Sequence, residues 1–444
     1  MKSIYKFLFL LAVGCSVVAC ADLDDPTPIN SLPSNVAILN EASARAALNG
    51  VYDEVQDADL VFDGWLALAQ FFSDEANATG TFPTRLEFGN LNVQPSNTTM
   101  ATVFTDIYDA INVANSVIQR IPLVEEESFS DESRADIIGQ AKFIRAFCYL
   151  HLTTLWRDVP LILMPTEDVG EVLNVSVSSQ SDIYAQIRSD LAEASRDIAA
   201  ATGPLQASKL GADALLARVD LYNENWSDAY SKAVGVLGGE DFDLTTVPYL
   251  SDQIYSLGFT ATDGNTLNFF YGPSDFGGRY SIGPTTDLIS AFEPGDARFA
   301  VSIDTTLTTP YGLKYPSFDA GISGTATDPI FFVRHAEMVL IAAEAAAEQG
   351  DFDLANKWFN QVRSRAGLDD VELDDDNFVD AILKERFTEF AFEGPFRLID
   401  LRRKGKALEV LGPLGYEACD DVWPLPQRDV DRNINLTQND CCNC

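Results

Sequence analysis

Residues 333–368 read VRHAEMVLIAAEAAAEQGDFDLANKWFNQVRSRAGL, and the spacing of their apolar positions decides the fold. Phe332, Ala336, Val339 and Ala343 recur at steps of three and four, the period of one helix face. A second helix opens at Asp351-Phe352-Asp353-Leu354-Ala355, with an aromatic residue first and an alanine three positions on that lets two helices approach closely. The same construction stands earlier in the chain. Leu210, Ala214, Ala217 and Leu221 form a stripe, followed by Asn225-Trp226-Ser227-Asp228-Ala229. This internal repeat has the size of a tetratricopeptide unit, whose helix pairs bury an apolar face only by stacking on neighbours. Two more stripes, Ile107, Ile111, Ala114, Ile118, Ile121 and Ile137, Ala141, Ile144, Cys148, Leu152, extend the pattern. The expectation is a mainly α chain with a tetratricopeptide-like scaffold, forming one helical domain over 41–444.

The period lapses in two places. From Gly238 to Pro329 the chain is rich in Gly, Pro, Thr, Asp, Tyr and Phe, with at most short helices or strands expected; a shorter irregular stretch runs from Asn77 to Pro95. Long segments without period inside a compact domain usually carry function, so these two form the expected ligand face.

The N-terminus sets the compartment. Lys2 and Lys6 precede an apolar run from Phe7 to Val13 and small residues through Ala19, the pattern of a signal peptide over 1–19 and too short to span a bilayer. Val17-Val18-Ala19-Cys20 resembles a lipobox, which makes Cys20 the expected lipidation site and 20–40 the anchor and tether. The following Ala21-Asp22-Leu23-Asp24-Asp25 resembles the surface-export signal of Bacteroidetes lipoproteins. Export also permits disulfides: Cys148 reads as a buried small hydrophobe, and Cys419 as a partner for Cys441, Cys442 or Cys444.

Composition is that of a globular protein, 46% apolar and 22% charged, but 67 acidic against 30 basic residues give a net charge of −37. That balance argues against nucleic acid or an anionic lipid surface as partner. An anionic polysaccharide would be repelled at long range unless basic residues cluster locally. Salt screens such self-repulsion, which suits a saline habitat.

Five stretches, in order, resemble the SusD/RagB family of outer-membrane nutrient-binding lipoproteins. They are Ala46-Ala47-Leu48-Asn49-Gly50-Val51-Tyr52; IYDAINVANSVIQRI at 107–121; GQAKFIRAFCYLHLTTLWRDVPLIL at 139–163; the 333–368 stretch; and ERFTEFAFEGPFRLIDLRRKG at 385–405, with LTQN at 436–439 after it. Three features depart from the family pattern: Pro395-Phe396-Arg397 lengthens the spacing after Gly394 by one residue, the chain closes in CCNC, and 444 residues is short. The resemblance implies a cell-surface, lipid-anchored helical body on the outer membrane. It would dock on a SusC-like TonB-dependent transporter as a lid and hold a ligand, usually a glycan, between the two. Peptide or other polymer binding by the same fold, and a purely structural lid, are the alternatives it leaves open.

Glycan capture needs flat aromatic faces and polar groups that read hydroxyls. Trp65 is the one tryptophan near an irregular segment; Phe82, Phe88, Tyr271, Phe276 and Tyr280 are the other stacking candidates, with Asp74, Asn77, Arg85 and Arg279 as hydrogen-bonding partners. No catalytic set, cofactor or metal site is expected. His151 and His335 lie on helices and read as structural, and Glu385, Arg386, Glu389, Glu393, Arg397, Asp400, Arg402 and Arg403 read as an ion-pair and cap network. Asp374-Asp375-Asp376-Asn377 lacks the glycine and ligand alternation of a calcium loop and reads as a helix cap ahead of Ala381.

Overall fold

The computed structural model describes residues 38–166, 174–199, 203–246, 251–317 and 326–439. The expected signal segment, Cys20 and the terminal cysteines lie outside these residues. The scaffold runs through helices α1 (Glu41–Val55), α2 (Thr98–Arg120), α3 (Asp131–Trp156), α4 (Gln180–Asp197), α5 (Lys209–Tyr222), α6 (Trp226–Val236), α7 (His335–Glu348), α8 (Phe352–Arg365), α9 (Phe378–Glu389) and α10 (Phe396–Arg403). Along α2 to α8 each helix packs against the next, α1 lies against α2 and α3, and α9 bridges α7 and α10. This is the mainly helical repeat scaffold expected from the sequence.

Local signals set the helix starts. Side chains of Asn97, Ser130, Ser179, Ser208 and Asp351 each accept a backbone N–H from the first turn of α2, α3, α4, α5 and α8, and Asn40 and Ser43 form a reciprocal capping box on α1. The repeat alanines Ala229 and Ala355 are fully buried, as are Trp358 and Phe359. Helix α7 is buried almost all round, as a central helix must be. Among the described residues, no helix is long and apolar enough to cross a membrane.

Two local readings change. Phe332 belongs to a strand, because Ile330–Arg334 is a run of five buried residues that pairs antiparallel with Gln253–Leu257. Helix α7 therefore begins at His335, and its end is capped from outside: Asp252 accepts the N–H of His335 through its carbonyl at 2.8 Å and that of Ala336 through its carboxylate at 3.1 Å. The acidic run ahead of α9 does not cap it directly. Asp374 accepts the N–H groups of Asp376 and Asn377 in a turn before the helix, while Asn377 at the cap position makes no side-chain cap bond.

The six described strands are β1 (Ala76–Ala78), β2 (Gln253–Leu257), β3 (Ile282–Pro284), β4 (Ile303–Asp304), β5 (Tyr311–Gly312) and β6 (Ile330–Arg334). They form three two-stranded antiparallel sheets, β1–β3, β2–β6 and β4–β5. The segment 238–329 thus holds only short elements among its described residues, as its composition predicts.

Between the scaffold and this segment lies a buried ionic network. Arg334 bonds Glu389 at 2.9 Å, Glu393 at 2.8 Å and Asp252 at 3.2 Å; Arg298 bonds Glu385 at 2.6 Å and Asp296 at 2.8 Å; Arg363 reaches Glu385 at 3.2 Å. A second cluster joins Arg386 to Asp400 at 2.6 Å and Arg403 to Asp400 at 2.8 Å, with Arg403 also on Glu344. The carboxylates at 385, 389, 393 and 400 are therefore structural, as the sequence suggests. His335 stacks on Phe242 with its Nδ1 2.8 Å from the Asp252 carbonyl. His151 is buried beside Trp65, and burial pulls its pKa down to about 4. Both histidines hold structural positions. Cys148 is a free, buried thiol, and Cys419 is disulfide-bonded to a residue outside the described ones.

Candidate functional site

The two irregular segments meet through β1 and β3. Their register pairs Ala76 with Pro284, Asn77 with Gly283 and Ala78 with Ile282, and the Thr79 N–H extends the ladder to the Ser281 carbonyl at 3.1 Å. Behind β1 the chain is pinned to the scaffold. Asp74 takes both ends of the Arg397 guanidinium at 2.8 and 2.7 Å, and Glu75 accepts the Phe392 N–H at 2.6 Å. Burial pushes the Glu75 carboxyl up to about 8.

Beyond β1 the chain turns into the short helix Pro83–Gly89, with exposed Phe82 just before it. Two guanidinium groups lie over the Phe82 ring, Arg85 at 4.6 Å and Arg279 at 4.1 Å from its centroid. Arg85 is itself fixed, bonding Asp63 at 2.7 Å through two nitrogens and covering the rings of Phe62 and Phe270, which stack at 4.2 Å. Arg279 has no carboxylate partner among the described residues.

The other wall is the hairpin leading into β3. Backbone N–H groups of Arg279, Tyr280 and Ser281 bond the carbonyls of Phe269, Gly272 and Phe270 at 2.7, 2.9 and 2.7 Å. Tyr280 has φ +50°, a strained value for a side chain of its size, and its hydroxyl donates to the Pro310 carbonyl at 2.8 Å. Gly283 allows this: a Cβ there would sit 2.2 Å from the Tyr280 hydroxyl oxygen. Tyr280, Asp275, Leu307, Thr308 and Thr309 line a cavity of about 160 Å³, and Phe276, 47% exposed, stands near it with its ring edge on Tyr311.

The structure thus brings together Phe82, Arg85, Phe276, Arg279 and Tyr280, with Asn77 exposed on β1 and bonded to the Pro284 carbonyl at 3.2 Å. It places the other candidates away from this cleft. Trp65 is a core residue, its indole N–H on the Val55 carbonyl at 2.9 Å and its ring among Phe147, His151 and Phe332. Phe88 is buried between Phe72 and Trp423, and Tyr271 between Phe62, Tyr315 and Phe392 with its hydroxyl on Gln70 at 3.1 Å. Asp74 is buried against Arg397, so it anchors β1 rather than facing the Phe82 cleft. Each lies within or beside an irregular segment, but on its core side.

Tyr271 separates the two roles by experiment. Tyr271→Phe should lower Tm by no more than a few degrees, since one hydrogen bond is lost, whereas Tyr271→Ala should cost about 3–5 kcal/mol in stability. Denaturant unfolding checks this; an alanine variant as stable as the native chain would return Tyr271 to the ligand list. The cavity residues Asp275, Thr308 and Thr309 were not singled out from sequence, although the polar run Asp304-Thr305-Thr306-Leu307-Thr308-Thr309 was the available signal.

An exposed ring flanked by guanidiniums, next to a small cavity lined by hydroxyls and a carboxylate, can hold a flat, hydroxyl-rich ligand by stacking and hydrogen bonding. The chain is similar to known proteins in sequence and in fold. The sequence pattern of the SusD family matches residues 300–421, and that of a family described as starch-binding and associating with the outer membrane matches 67–221. SusD-like proteins P2 and P38 of Formosa agariphila are 27% and 26% identical, each alignment covering 98% of this chain and 99% and 97% of the relative. A SusD superfamily protein of Bacteroides vulgatus superposes with a TM-score of 0.81 at 22% identity, over 90% of this chain and 99% of that one. A laminarin-binding SusD-like protein superposes at 0.78 with 23% identity, over 91% and 100%.

Proposed function

Because the chain belongs to the SusD/RagB family, we propose that it is a non-catalytic glycan-binding protein of the outer-membrane surface, lipid-anchored through Cys20, that presents an oligosaccharide to a SusC-like TonB-dependent transporter. The observation that carries the ligand reading is the Phe82 ring, exposed yet held under Arg85 and Arg279 at the junction of the two irregular segments. Phe82 supplies the stacking face, Arg279 and Asn77 supply donors, and Tyr280 with Asp275 and the two threonines shape the adjoining cavity. Support for a glycan comes from the starch-binding description of one matching family and from the laminarin-binding relative.

Affinity electrophoresis against a panel of neutral and acidic polysaccharides, followed by calorimetry, tests this. At least one glycan should retard the protein, and Phe82→Ala should weaken that binding about 10-fold or more with Tm unchanged, as loss of a central aromatic anchor does. Full retardation of the folded variant would remove Phe82 from the site. Retardation by no glycan, with binding of peptides instead, would replace the ligand class. Co-purification with the transporter after membrane solubilisation tests the partner.

A further inference from the structure

A second cleft opens on the scaffold, at the C-terminal ends of α3, α5 and α10, away from the loop cavity in sequence and sharing none of its residues. Its volume is about 350 Å³, and Arg157, Arg402, Arg403 and Lys404 line it against only two acids, Glu224 and Asp421. In a chain of net charge −37 this is a local reversal of sign.

Two of the four cations are already committed. Arg403 bonds Asp400 at 2.8 Å and also Glu344, while Lys404 bonds Glu344 at 2.7 Å and Glu348. The other two make no ion pair among the described residues. Arg157 is exposed and has no ion pair among the described residues. Arg402 donates to the Tyr416 hydroxyl at 3.2 Å and the Asp420 carbonyl at 2.6 Å, but its Nη1 is buried without a partner. Burial pulls the Arg402 pKa below its ordinary value, and neither Tyr416 nor the two aspartates restore it. Of the two acids, Asp421 is occupied by the Tyr416 hydroxyl at 2.7 Å.

The walls add a second kind of contact. Trp226 and Tyr222 are half-buried on the cleft, and the Lys404 ammonium lies 5.0 Å from the Trp226 centroid. The backbone is strained here: Arg157 has φ +64° and Glu224 +59°, two of the five described non-glycine residues with positive φ. Such values persist where surrounding structure holds them, and they gather at ligand sites. Tyr280 at the loop cavity is a third of the five.

We propose that this cleft binds the carboxylate of an acidic sugar, Arg157 and Arg402 pairing with the oxyanion while the Trp226 face receives the ring. The planar Arg157 guanidinium can pair with a carboxylate through two parallel bonds, to which the Arg402 Nη1 adds one more, and a neutral hydroxyl cannot match this. A volume of this size takes one sugar ring.

Calorimetry on the purified full chain with glucuronate, glucose and acetate tests the proposal. Glucuronate should bind at least about 10-fold more tightly than either of the others, and more weakly as salt rises. Arg157→Gln should weaken glucuronate about 10-fold with Tm unchanged, and Arg157→Lys should recover part of the loss. Glucose binding as tightly as glucuronate would overturn the proposal. So would acetate matching glucuronate, no heat with glucuronate at millimolar concentration, or unaltered affinity in Arg157→Gln.

Discussion

Replacing Arg334 by methionine should destabilise the protein by about 3–5 kcal/mol, the cost of breaking a buried ion pair from one side. The side chain lies at the centre of the larger network, with Glu389, Glu393 and Asp252 around it and its Nη2 also on the Glu389 carbonyl at 3.0 Å. Methionine fills much of the same volume, so the loss measures charge rather than packing. Each stranded carboxylate keeps another cation: Glu389 keeps Arg365 and Arg298, Asp252 keeps Arg365, and Glu393 keeps Lys314. These remaining pairs hold the penalty within that range. Urea unfolding with the slope unchanged is the measurement, and Lys406→Ala is the control, since its partners Asp380 and Glu409 are solvent-exposed and screening makes such pairs worth little. A loss in Arg334→Met no larger than in the control would show that the network adds nothing to stability. The same variant should also impair the loop cleft, because Glu393 adjoins the Phe392 N–H that holds Glu75 behind β1.

Stability should peak near pH 4.5 and fall on both sides, for opposite reasons. Burial raises the Glu75 pKa from 4.5 to about 8, and that of Asp106 from 3.8 to about 7 with Asp57 and Asp59 adding to it. Between the unfolded and folded values the folded chain keeps a proton that the unfolded chain has lost. The Glu75 contribution is therefore complete below pH 4.5 and that of Asp106 below 3.8, and they disappear as pH rises through 8 and 7 respectively. Relief of the −37 self-repulsion on acidification acts in the same sense.

Glu344 and Glu389 work the other way. Burial opposes ionisation of both, yet Arg403 and Lys404 hold Glu344 at about 2, and Arg365, Arg334 and Arg298 hold Glu389 far below the usual carboxylate range. Their stabilisation is complete above 4.5 and is lost as pH falls toward 2. His151, lowered from 6.5 to about 4, adds a smaller loss between those values, because the unfolded chain takes up its proton first. Thermal melts from pH 3 to 9 check the shape. Glu75→Gln should raise Tm at pH 9 by on the order of 5 °C and leave it unchanged at pH 4. Equal effects at both pH values would mean that ionisation of Glu75 is not what limits stability on the alkaline side.

Where the two irregular segments lie was legible in the chain, but which of their residues face the candidate cleft was only partly so. The lapse of helical period marked 77–95 and 238–329, and the structure joins them through β1 and β3. Phe82, Arg85, Phe276, Arg279 and Tyr280 came through as a group. Trp65, Phe88, Tyr271 and Asp74 did not, because position beside an irregular segment carries no information about which side of it faces the core. Tyr271 and Tyr280 show the difference: nine residues apart in one segment, one is fully buried and the other borders a cavity.

The helical scaffold was determined by sequence alone, because a period of 3.6 residues, a capping side chain and a small residue at a close approach are local signals that act within a few positions. Part of the ionic network was legible for the same reason, four of its carboxylates standing between 385 and 400 at helical or near-helical spacing. Arg386 and Arg403 were legible with them, but Arg298, Arg334 and Arg365 come from elsewhere in the chain, and only their packing against α9 makes them partners. The same holds for both clefts. Arg279 meets Phe82 across about two hundred residues, and Arg157 and Arg402, further apart still in sequence, line one cleft. Contacts of that range depend on how the helices stack and which short strands pair, and the tertiary structure alone decides them.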